Sequence, residues 1–131
     1  MEKILRIEEI SGQYGCMTQE GYAIVTDKQT IKLLIDNHQD CCEDWGYFMS
    51  EDNFESFIGA KILEITLTDT ALNTKKIDEH IEYGVDNGDI MFVNIVTDKG
   101  VLQFVAYNCH NGYYGHGAYV FSEQLKHETC L

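Results

Sequence analysis

The sequence predicts an α+β fold: a single strand-rich domain with one mostly antiparallel sheet and short helices on one face. Three observations predict it. Two pairs of β-branched and aromatic segments are each joined by a short turn, a further segment alternates between apolar and polar residues, and two short segments open with serine and acidic residues. The 131 residues have the usual length of one domain with one core.

Two hairpins form the centre of the predicted sheet. Strands at 22–26 and 30–36 form the first hairpin, and strands at 92–97 and 101–107 form the second. The second turn is the glycine-containing Asp98-Lys99-Gly100. Short turns between such segments are typical of antiparallel pairs, so we expect four paired strands.

Two other segments bear on the sheet. In residues 60–69, Leu63, Ile65 and Leu67 alternate with polar residues, which indicates a strand with one solvated face. Residues 2–12 stay ambiguous. Their isoleucines lie three apart, as in a helix, while their β-branched content favours a strand.

Short helices are predicted at two places. Ser50 and the two acidic residues after it predict a helix start, because serine accepts a hydrogen bond from a free backbone N–H and acidic residues complement the helix dipole. That helix would end at Gly59. A second helix is predicted over 122–127, after a short strand at 118–121, and one or two helical turns suit residues 75–81.

The two hairpins share a stretch of sequence. Residues 24–28, Ile-Val-Thr-Asp-Lys, recur letter for letter at 95–99, and the offset of 71 residues continues without a gap into the loops that follow. This pattern predicts an internal repeat, although convergence of two tight turns would explain it as well. The candidate repeat units and their loops are 21–59 with loop 37–49, and 92–128 with loop 108–118.

The chain carries 22 carboxylates against 9 lysines and arginines, which gives a formal net charge of −13. Phosphate backbones are bound by clustered lysine and arginine, and the sequence has no such cluster. Direct binding to nucleic acid or to an anionic membrane is therefore disfavoured. An acidic surface either keeps a protein soluble by self-repulsion or imitates a phosphate array and occupies the basic groove of a nucleic-acid enzyme.

The sequence also predicts the compartment. No segment has the apolar length of a membrane span, and the first residues lack the apolar run of a signal peptide. We therefore expect a cytoplasmic protein. The cysteines number five and meet a reducing environment there, so they are expected to be thiols or thiolates rather than disulfides.

Two short elements carry a family resemblance. Asp40-Cys41-Cys42-Glu43 follows the first hairpin, and Asn111-Gly112-Tyr113-Tyr114 follows the second. With these DCCE and NGYY elements, the chain resembles a family of small uncharacterised proteins from bacteria and their phages over roughly residues 21–120. The resemblance implies a phage or mobile-element context. It implies no activity, since that family is a domain of unknown function.

The two loops contain three of the five cysteines and three of the five histidines. Zinc takes thiolate and imidazole ligands in a tetrahedron, so loops that meet would supply a zinc site, although the spacing matches no standard zinc motif. The alternative is that the cysteines pack as small apolar residues or satisfy local backbone. The candidate ligands are His38, Cys41, Cys42, Cys109 and His110, with His116 as a substitute.

Cysteine catalysis is disfavoured, because residues 33–60 contain seven carboxylates and no lysine or arginine. Such a field raises the pKa of a thiol, whereas catalysis needs it lowered. The glycines of the second loop do not match a phosphate-binding motif either. We therefore name no catalytic residue and favour a protein that is not an enzyme.

We favour a non-enzymatic binding protein that presents an acidic and aromatic surface, because aromatic rings contribute large contact area at small entropic cost. In a phage setting it would inhibit a host nucleic-acid-directed defence enzyme, as an anti-CRISPR-like protein or DNA mimic does. The alternatives are a small-ligand protein whose loop aromatics clamp a nucleotide-like ring, and a zinc-dependent enzyme. The residues of the predicted surface are Asp40, Glu43, Asp44, Trp45, Tyr113, Tyr114 and His116.

Overall fold

The computed structural model describes residues 2–14, 17–37, 44–80, 88–109 and 117–131. In these ranges the chain forms two antiparallel sheets, of five and four strands, and two helical segments of seven and four residues. The predicted α+β fold with one sheet is therefore wrong, and the protein is mostly β. The apolar faces of the two sheets cover each other, so the main core needs no layer of helices.

Nine strands lie in the described ranges: β1 (Ile4–Tyr14), β2 (Met17–Thr26), β3 (Thr30–Asp36), β4 (Asp44–Met49), β5 (Ile62–Thr68), β6 (Gly88–Thr97), β7 (Gly100–Cys109), β8 (Gly117–Phe121) and β9 (Lys126–Cys130). The first sheet has the order β1-β2-β3-β8-β9, and the second has the order β4-β7-β6-β5. The ambiguous N-terminal segment is thus an edge strand, because its residues find partners along the whole of β2.

The helix predicted from Ser50 to Gly59 is wrong. Ser50 directly follows β4 and is hydrogen-bonded to β7, because its N–H donates to the Gln103 carbonyl at 2.8 Å and its Oγ accepts from the Gln103 N–H at 2.9 Å. What remains is a 3-10 helix at Phe54–Phe57, whose first turn is capped by the side chain of Asn53. A cross-strand partner thus uses the serine that the local pattern assigns to a helix cap.

The second predicted helix, over 122–127, is also wrong. The Ser122 Oγ accepts from the Leu125 N–H at 2.8 Å, and this tight turn brings the chain back as β9 beside β8. Helical turns are confirmed only near 75–81, where helix α1 spans Thr74–His80. Neither described helix is long and apolar enough to cross a membrane.

The hairpins β2–β3 and β6–β7 are confirmed, and their turns are built alike. In the first, the Thr26 Oγ1 accepts from the Lys28 N–H at 3.1 Å. In the second, the Thr97 Oγ1 accepts from the Lys99 N–H at 3.2 Å. The recurring Ile-Val-Thr-Asp-Lys sequence therefore forms the same turn twice.

The aspartate of each turn also accepts a hydrogen bond from the residue that precedes a third strand. Asp27 accepts from the Lys3 N–H through its carboxylate at 2.9 Å, just before β1. Asp98 accepts from the Lys61 N–H in the same way at 2.9 Å, just before β5. The chain reads Lys-Ile-Leu at both places, beginning at Lys3 and Lys61. The three-stranded units β1-β2-β3 and β5-β6-β7 are thus related in sequence, pairing and turn geometry.

The two units exchange their fourth strands. The unit β1-β2-β3 is completed by β8, which follows β7 in the chain, and the unit β5-β6-β7 is completed by β4, which follows β3. The two sheets therefore share one strand arrangement, which we call the internal twofold relation, with β9 added beside β8 in the first sheet. The origin of this relation by duplication stays a prediction.

The halves meet where β1 and β5 begin. Lys3 and Lys61 face each other in an antiparallel bridge, and the N–H of Ile4 donates to the Ala60 carbonyl at 2.9 Å. From there β1 runs across the second sheet, since Glu9 contacts β4 at the edge opposite β5. This crossing places part of β1 beside β4.

Strand β5 is confirmed, but the sides to which its residues point differ from the prediction. Its pairing with β6 shifts between Ile62 and Glu64, as at a β-bulge. Ile62 and Ile65 are therefore buried, whereas Leu63 and Leu67 are 49% and 41% exposed. The predicted apolar face is wrong at Leu63, which the bulge turns away from the core. Leu67 stays on the face of Ile65, opposite the buried Val93, where it lines an open cleft.

The main core lies between the two sheets. Its fully buried members include Ile4, Ile24, Leu33, Ile35, Ile95, Leu102 and Phe104. A smaller cluster covers the outer face of the second sheet, where Ile77 of α1 packs with Phe92 and Val105. The helix thus covers one outer face and leaves the β1–β4 side to be closed by strand residues.

Candidate functional site

The connections that carry the predicted site residues leave the sheets at neighbouring strand ends. In the first sheet, Asp36 ends β3 and Gly117 begins β8, and the Gly117 N–H donates to the Asp36 Oδ2 at 3.0 Å. In the second sheet, Asp44 begins β4 and pairs with Cys109, the last residue of β7. Each connection joins a strand of one sheet to a strand of the other, so the predicted single-sheet rim is wrong. The described end residues of the two connections lie side by side within each sheet.

Most predicted site residues lie outside the described part of the chain: His38, Asp40, Cys41, Cys42, Glu43, His110, Tyr113, Tyr114 and His116. Asp44 and Cys109 are placed by their backbone pairing. Trp45 is half-buried and packs against the main core. Among the described residues, no group of three or more His, Cys, Asp or Glu is arranged to hold a metal ion. The predicted binding surface and zinc site stay predictions.

A buried polar cluster fixes the strand ends in the first sheet. Asp36 is 5% exposed, and its Oδ1 accepts from the Gln19 side-chain amide at 2.9 Å. Burial, the negative charges of Asp36 and Glu128, and a hydrogen bond to Asp36 raise the pKa of Tyr119. A Cβ at Gly117 would overlap the Tyr119 hydroxyl, so a larger residue here would force the Tyr119 and Asp36 side chains to shift. The cluster joins β2, β3 and β8.

A cleft of about 260 Å³ opens where β1, β2 and β4 meet. Glu9 of β1 pairs with Tyr22 of β2, so both side chains lie on the same face of the first sheet. That face meets the second sheet at Tyr47. We call this the tyrosine cleft, which is lined by Glu9, Tyr22, Tyr47, Phe48, Met49, Glu51, Asp52, Phe54 and Lys76.

Aromatic rings form the walls of the tyrosine cleft. The Tyr22 ring lies edge to face with Tyr47, at a centroid distance of 5.6 Å and an interplanar angle of 82°. It meets Phe54 at 5.7 Å and 83°, and Phe104 of the main core at 6.2 Å and 79°. Edge-to-face pairs are favoured by the ring quadrupole. The cleft walls are therefore held by contacts that continue into the core.

The electrostatic environment of the cleft is negative. The Tyr47 hydroxyl donates to the Glu9 Oε2 at 2.5 Å. Burial, this hydrogen bond, and the charges of Glu20 and Glu9 raise the pKa of Tyr47 far above its ordinary value. Burial, followed by the charges of Glu9 and Asp52, raises the pKa of Tyr22. Both phenols therefore stay protonated at neutral pH.

Among the residues that line the cleft, Lys76 carries the one positive charge, and that charge is already paired. Its Nζ donates to the Met49 carbonyl at 2.7 Å and to the Asp52 Oδ1 at 2.5 Å. The Lys76 side chain is 12% exposed, whereas that of Asp52 is 91% exposed. Three carboxylates, of Glu9, Glu51 and Asp52, stand against this one ammonium group, so the lining has a formal charge of −2.

The sequence does not predict this cleft, because its residues come from segments far apart in the chain. One signal is present. Glu9 follows Ile7 by two residues, and Ile7 packs against the main core, so Glu9 lies on the same face of the strand as Ile7 but is exposed at the cleft. A carboxylate at such a position indicates a partner or an open cleft. This feature predicts the cleft only after residues 2–12 are assigned to a strand, and the sequence left that assignment ambiguous.

Comparisons with known proteins provide a family without an activity. A family model described as a domain of unknown function, DUF7448, matches residues 1–120. No curated protein and no solved structure matches the chain. The resemblance to a domain of unknown function is confirmed, and the bacterial or phage origin stays a prediction.

Proposed function

Since the chain belongs to the DUF7448 family, a domain of unknown function, we propose from its own residues that it is a non-enzymatic binding protein for a partner with a basic surface. In the cytoplasm of a bacterial host, as part of a phage or mobile element, it would bind a nucleic-acid-directed defence enzyme and inhibit it. The observation that carries the proposal is the tyrosine cleft, where carboxylates surround aromatic rings.

Binding is supported by the chemistry of the cleft. Tyrosine rings provide contact area with little entropy to lose, and they are frequent among the residues that dominate protein interfaces. The carboxylates of Glu9, Glu51 and Asp52 attract a positively charged surface, and Lys76 neutralises only one of them. Such complementarity speeds association and selects against acidic partners.

A catalytic role for the cleft is disfavoured by its tyrosines. A general base must have a pKa near the working pH, but the pKa values of Tyr22 and Tyr47 are raised above that of free tyrosine. Their hydroxyl groups can donate hydrogen bonds but cannot take up a proton at neutral pH. Recognition therefore suits these side chains better than proton transfer.

The net charge supports a partner that normally binds nucleic acid. With a formal charge of −13, the chain is attracted to the same lysine and arginine clusters that bind phosphate backbones. Binding to such a cluster would exclude the nucleic acid. The proposal therefore requires that nucleic acid and this protein compete for the partner.

Competition is the basis of the test. The immobilised protein is incubated with bacterial extract, and bound proteins are eluted with duplex DNA and identified by mass spectrometry. We expect a nucleic-acid-directed enzyme to be released by DNA and its activity to fall when the free protein is added. If DNA releases no such enzyme, or if the released enzyme keeps full activity, the proposed function is wrong.

Two variants of equal charge locate the binding surface. One reverses Glu9, Glu51 and Asp52 to lysine, and the control reverses three exposed carboxylates elsewhere, Glu64, Asp69 and Glu123. Each change from a carboxylate to lysine raises the charge by two, so the three changes in a variant raise the net charge from −13 to −7. A third variant reverses Asp40, Glu43 and Asp44, which tests the predicted loop surface. Partner capture should fall in the first or the third variant and persist in the control.

A further inference from the structure

We propose that the tyrosine cleft binds the guanidinium group of an exposed arginine side chain on the partner. This inference rests on the proposed binding function, and it adds the place and the chemistry of the contact.

The size of the cleft suits one side chain. Pockets for cofactors and drug-sized ligands usually measure about 300–1,000 Å³. The tyrosine cleft, at about 260 Å³, lies below that range. A single long side chain that enters from a partner surface needs less space, because the rest of its residue stays outside.

The groups in the cleft match a guanidinium better than an ammonium. A guanidinium is planar, stacks on aromatic faces and donates paired hydrogen bonds to a carboxylate. The Tyr22 and Tyr47 rings provide such walls at 82° to each other. Glu9 uses its Oε2 for the Tyr47 hydroxyl, and its Oε1 accepts no hydrogen bond from any described residue. An arginine can therefore stack on a ring and bind Glu9 at the same time.

Lys76 shows that this part of the protein already holds a partly buried cation. Its ammonium group is held between a backbone carbonyl and a carboxylate, of Met49 and Asp52. The Asp52 side chain remains 91% exposed despite this contact. A second cation that enters from solvent thus meets an exposed carboxylate at the mouth of the cleft.

The internal twofold relation provides an independent comparison. Five residues after its first residue, β1 has Glu9 and β5 has Leu67. Leu67 lines a second cleft of about 290 Å³, together with residues of β6 and β9, and the C-terminal Leu131 lies there, buried. Among the described residues that line this second cleft, none has an aspartate or glutamate side chain. The strand related to β1 therefore has an apolar residue at the position where β1 has the Glu9 carboxylate.

The test uses N-acetylarginine amide as the probe and follows the ¹³C-labelled tyrosine rings of the whole protein by NMR. N-acetyllysine amide and N-acetylcitrulline amide serve as the cationic and the uncharged control. We expect saturable shifts of Tyr22 and Tyr47 with the arginine probe, at least about fivefold weaker binding of the lysine probe, and no saturation with citrulline. Equal binding of arginine and citrulline would overturn the proposal.

Matched glutamate variants complete the test. Glu9→Gln keeps a hydrogen-bond acceptor for Tyr47 and removes the negative charge. It should lower the affinity for the arginine probe at least about fivefold. Glu64→Gln, on the exposed side of β5, should leave the affinity unchanged. If Glu9→Gln binds the probe as the wild type does, the arginine site is wrong. If Glu9→Gln still captures a partner that DNA releases, the proposed binding function stands without the arginine site. If the wild-type protein captures no such partner, the proposed binding function is wrong.

Discussion

The hydroxyl of Tyr47 donates a hydrogen bond of 2.5 Å to the carboxylate of Glu9, and this bond joins edge strands of the two sheets. Glu9 lies on β1, the edge of the first sheet, and Tyr47 lies on β4, the edge of the second. The same β1 strand meets the second sheet again at its start, through the bridge between Lys3 and Lys61. One strand is thus fixed at both edges of the opposite sheet, and the tyrosine cleft lies beside one of these contacts.

Tyr47→Phe removes this hydrogen bond and keeps the ring. Because Tyr47 is only half-buried, we expect the free energy of unfolding to fall by about 1 kcal/mol, less than the about 1.5–3 kcal/mol usual for hydrogen bonds to charged groups. Urea unfolding measures the change. Tyr22→Phe is the matched control, because the Tyr22 hydroxyl makes no hydrogen bond to a described residue, and its effect should stay below about 0.5 kcal/mol. Equal losses in both variants would mean that the hydrogen bond is not the cause.

The raised pKa of Tyr47 predicts a loss of stability in alkali. Tyrosine in the unfolded chain ionises near pH 10, whereas folded Tyr47 keeps its proton well above that value. Above about pH 10 the folded state therefore binds more protons than the unfolded state, so stability falls as the pH rises. Below that pH the contribution of Tyr47 to stability is fully present and does not change with pH. Urea unfolding between about pH 8 and 11 should show the decline, and Tyr47→Phe should make it shallower.

Gly117→Ala should destabilise the first sheet at the buried polar cluster. The added Cβ would lie 2.3 Å from the Tyr119 hydroxyl and 2.8 Å from the Asp36 Oδ2. Overpacking of this kind costs about 1–3 kcal/mol. The double variant Gly117→Ala with Tyr119→Ala should lose less stability than the sum of the two single losses, because the Tyr119 ring no longer obstructs the added Cβ. Tyr107→Ala is the comparison, because it removes the ring that lies against Gly46 and leaves the Tyr119 ring in place. Its loss of stability should simply add to that of Gly117→Ala.

The hairpins were predictable from sequence because the information for them is local. Thr26 and Lys28 form one turn, Thr97 and Lys99 form the other, and in each turn the hydrogen-bonded residues lie two apart in the chain. Ser50 shows why the helix prediction failed. Its partner Gln103 lies 53 residues away, and no nearby pattern indicates that the serine is engaged by a strand rather than a helix start.

The tyrosine cleft was not predictable for a related reason. Glu9 and Tyr47 lie 38 residues apart, and they meet only because β1 crosses to the far edge of the second sheet. That crossing depends on the exchange of fourth strands between the two units, which periodicity and turn chemistry do not encode. The fold class was wrong for two further reasons: the second sheet was not foreseen, and Ser50 and Ser122 are engaged by a strand and a tight turn rather than by helix starts.

The twofold relation predicts equal effects of two separate substitutions. The carboxylates of Asp27 and Asp98 each accept from a backbone N–H at 2.9 Å, from Lys3 and Lys61. Removal of each acceptor should lower the free energy of unfolding by about 1 kcal/mol, the usual contribution of one such bond. Asp27→Ala and Asp98→Ala should therefore agree within about 0.5 kcal/mol in urea unfolding.

Asp69→Ala is the control for this pair, because the one hydrogen bond that its carboxylate accepts from a described residue comes from the adjacent Thr70 and leaves both strand starts untouched. We expect a change below about 0.5 kcal/mol. A large loss for Asp98→Ala with none for Asp27→Ala would show that the two turns resemble each other in geometry but not in energy. Equal losses would mean that both three-stranded units depend equally on the bond between the turn aspartate and a backbone N–H. Each of these bonds holds the start of the first strand of its unit, next to the bridge between Lys3 and Lys61.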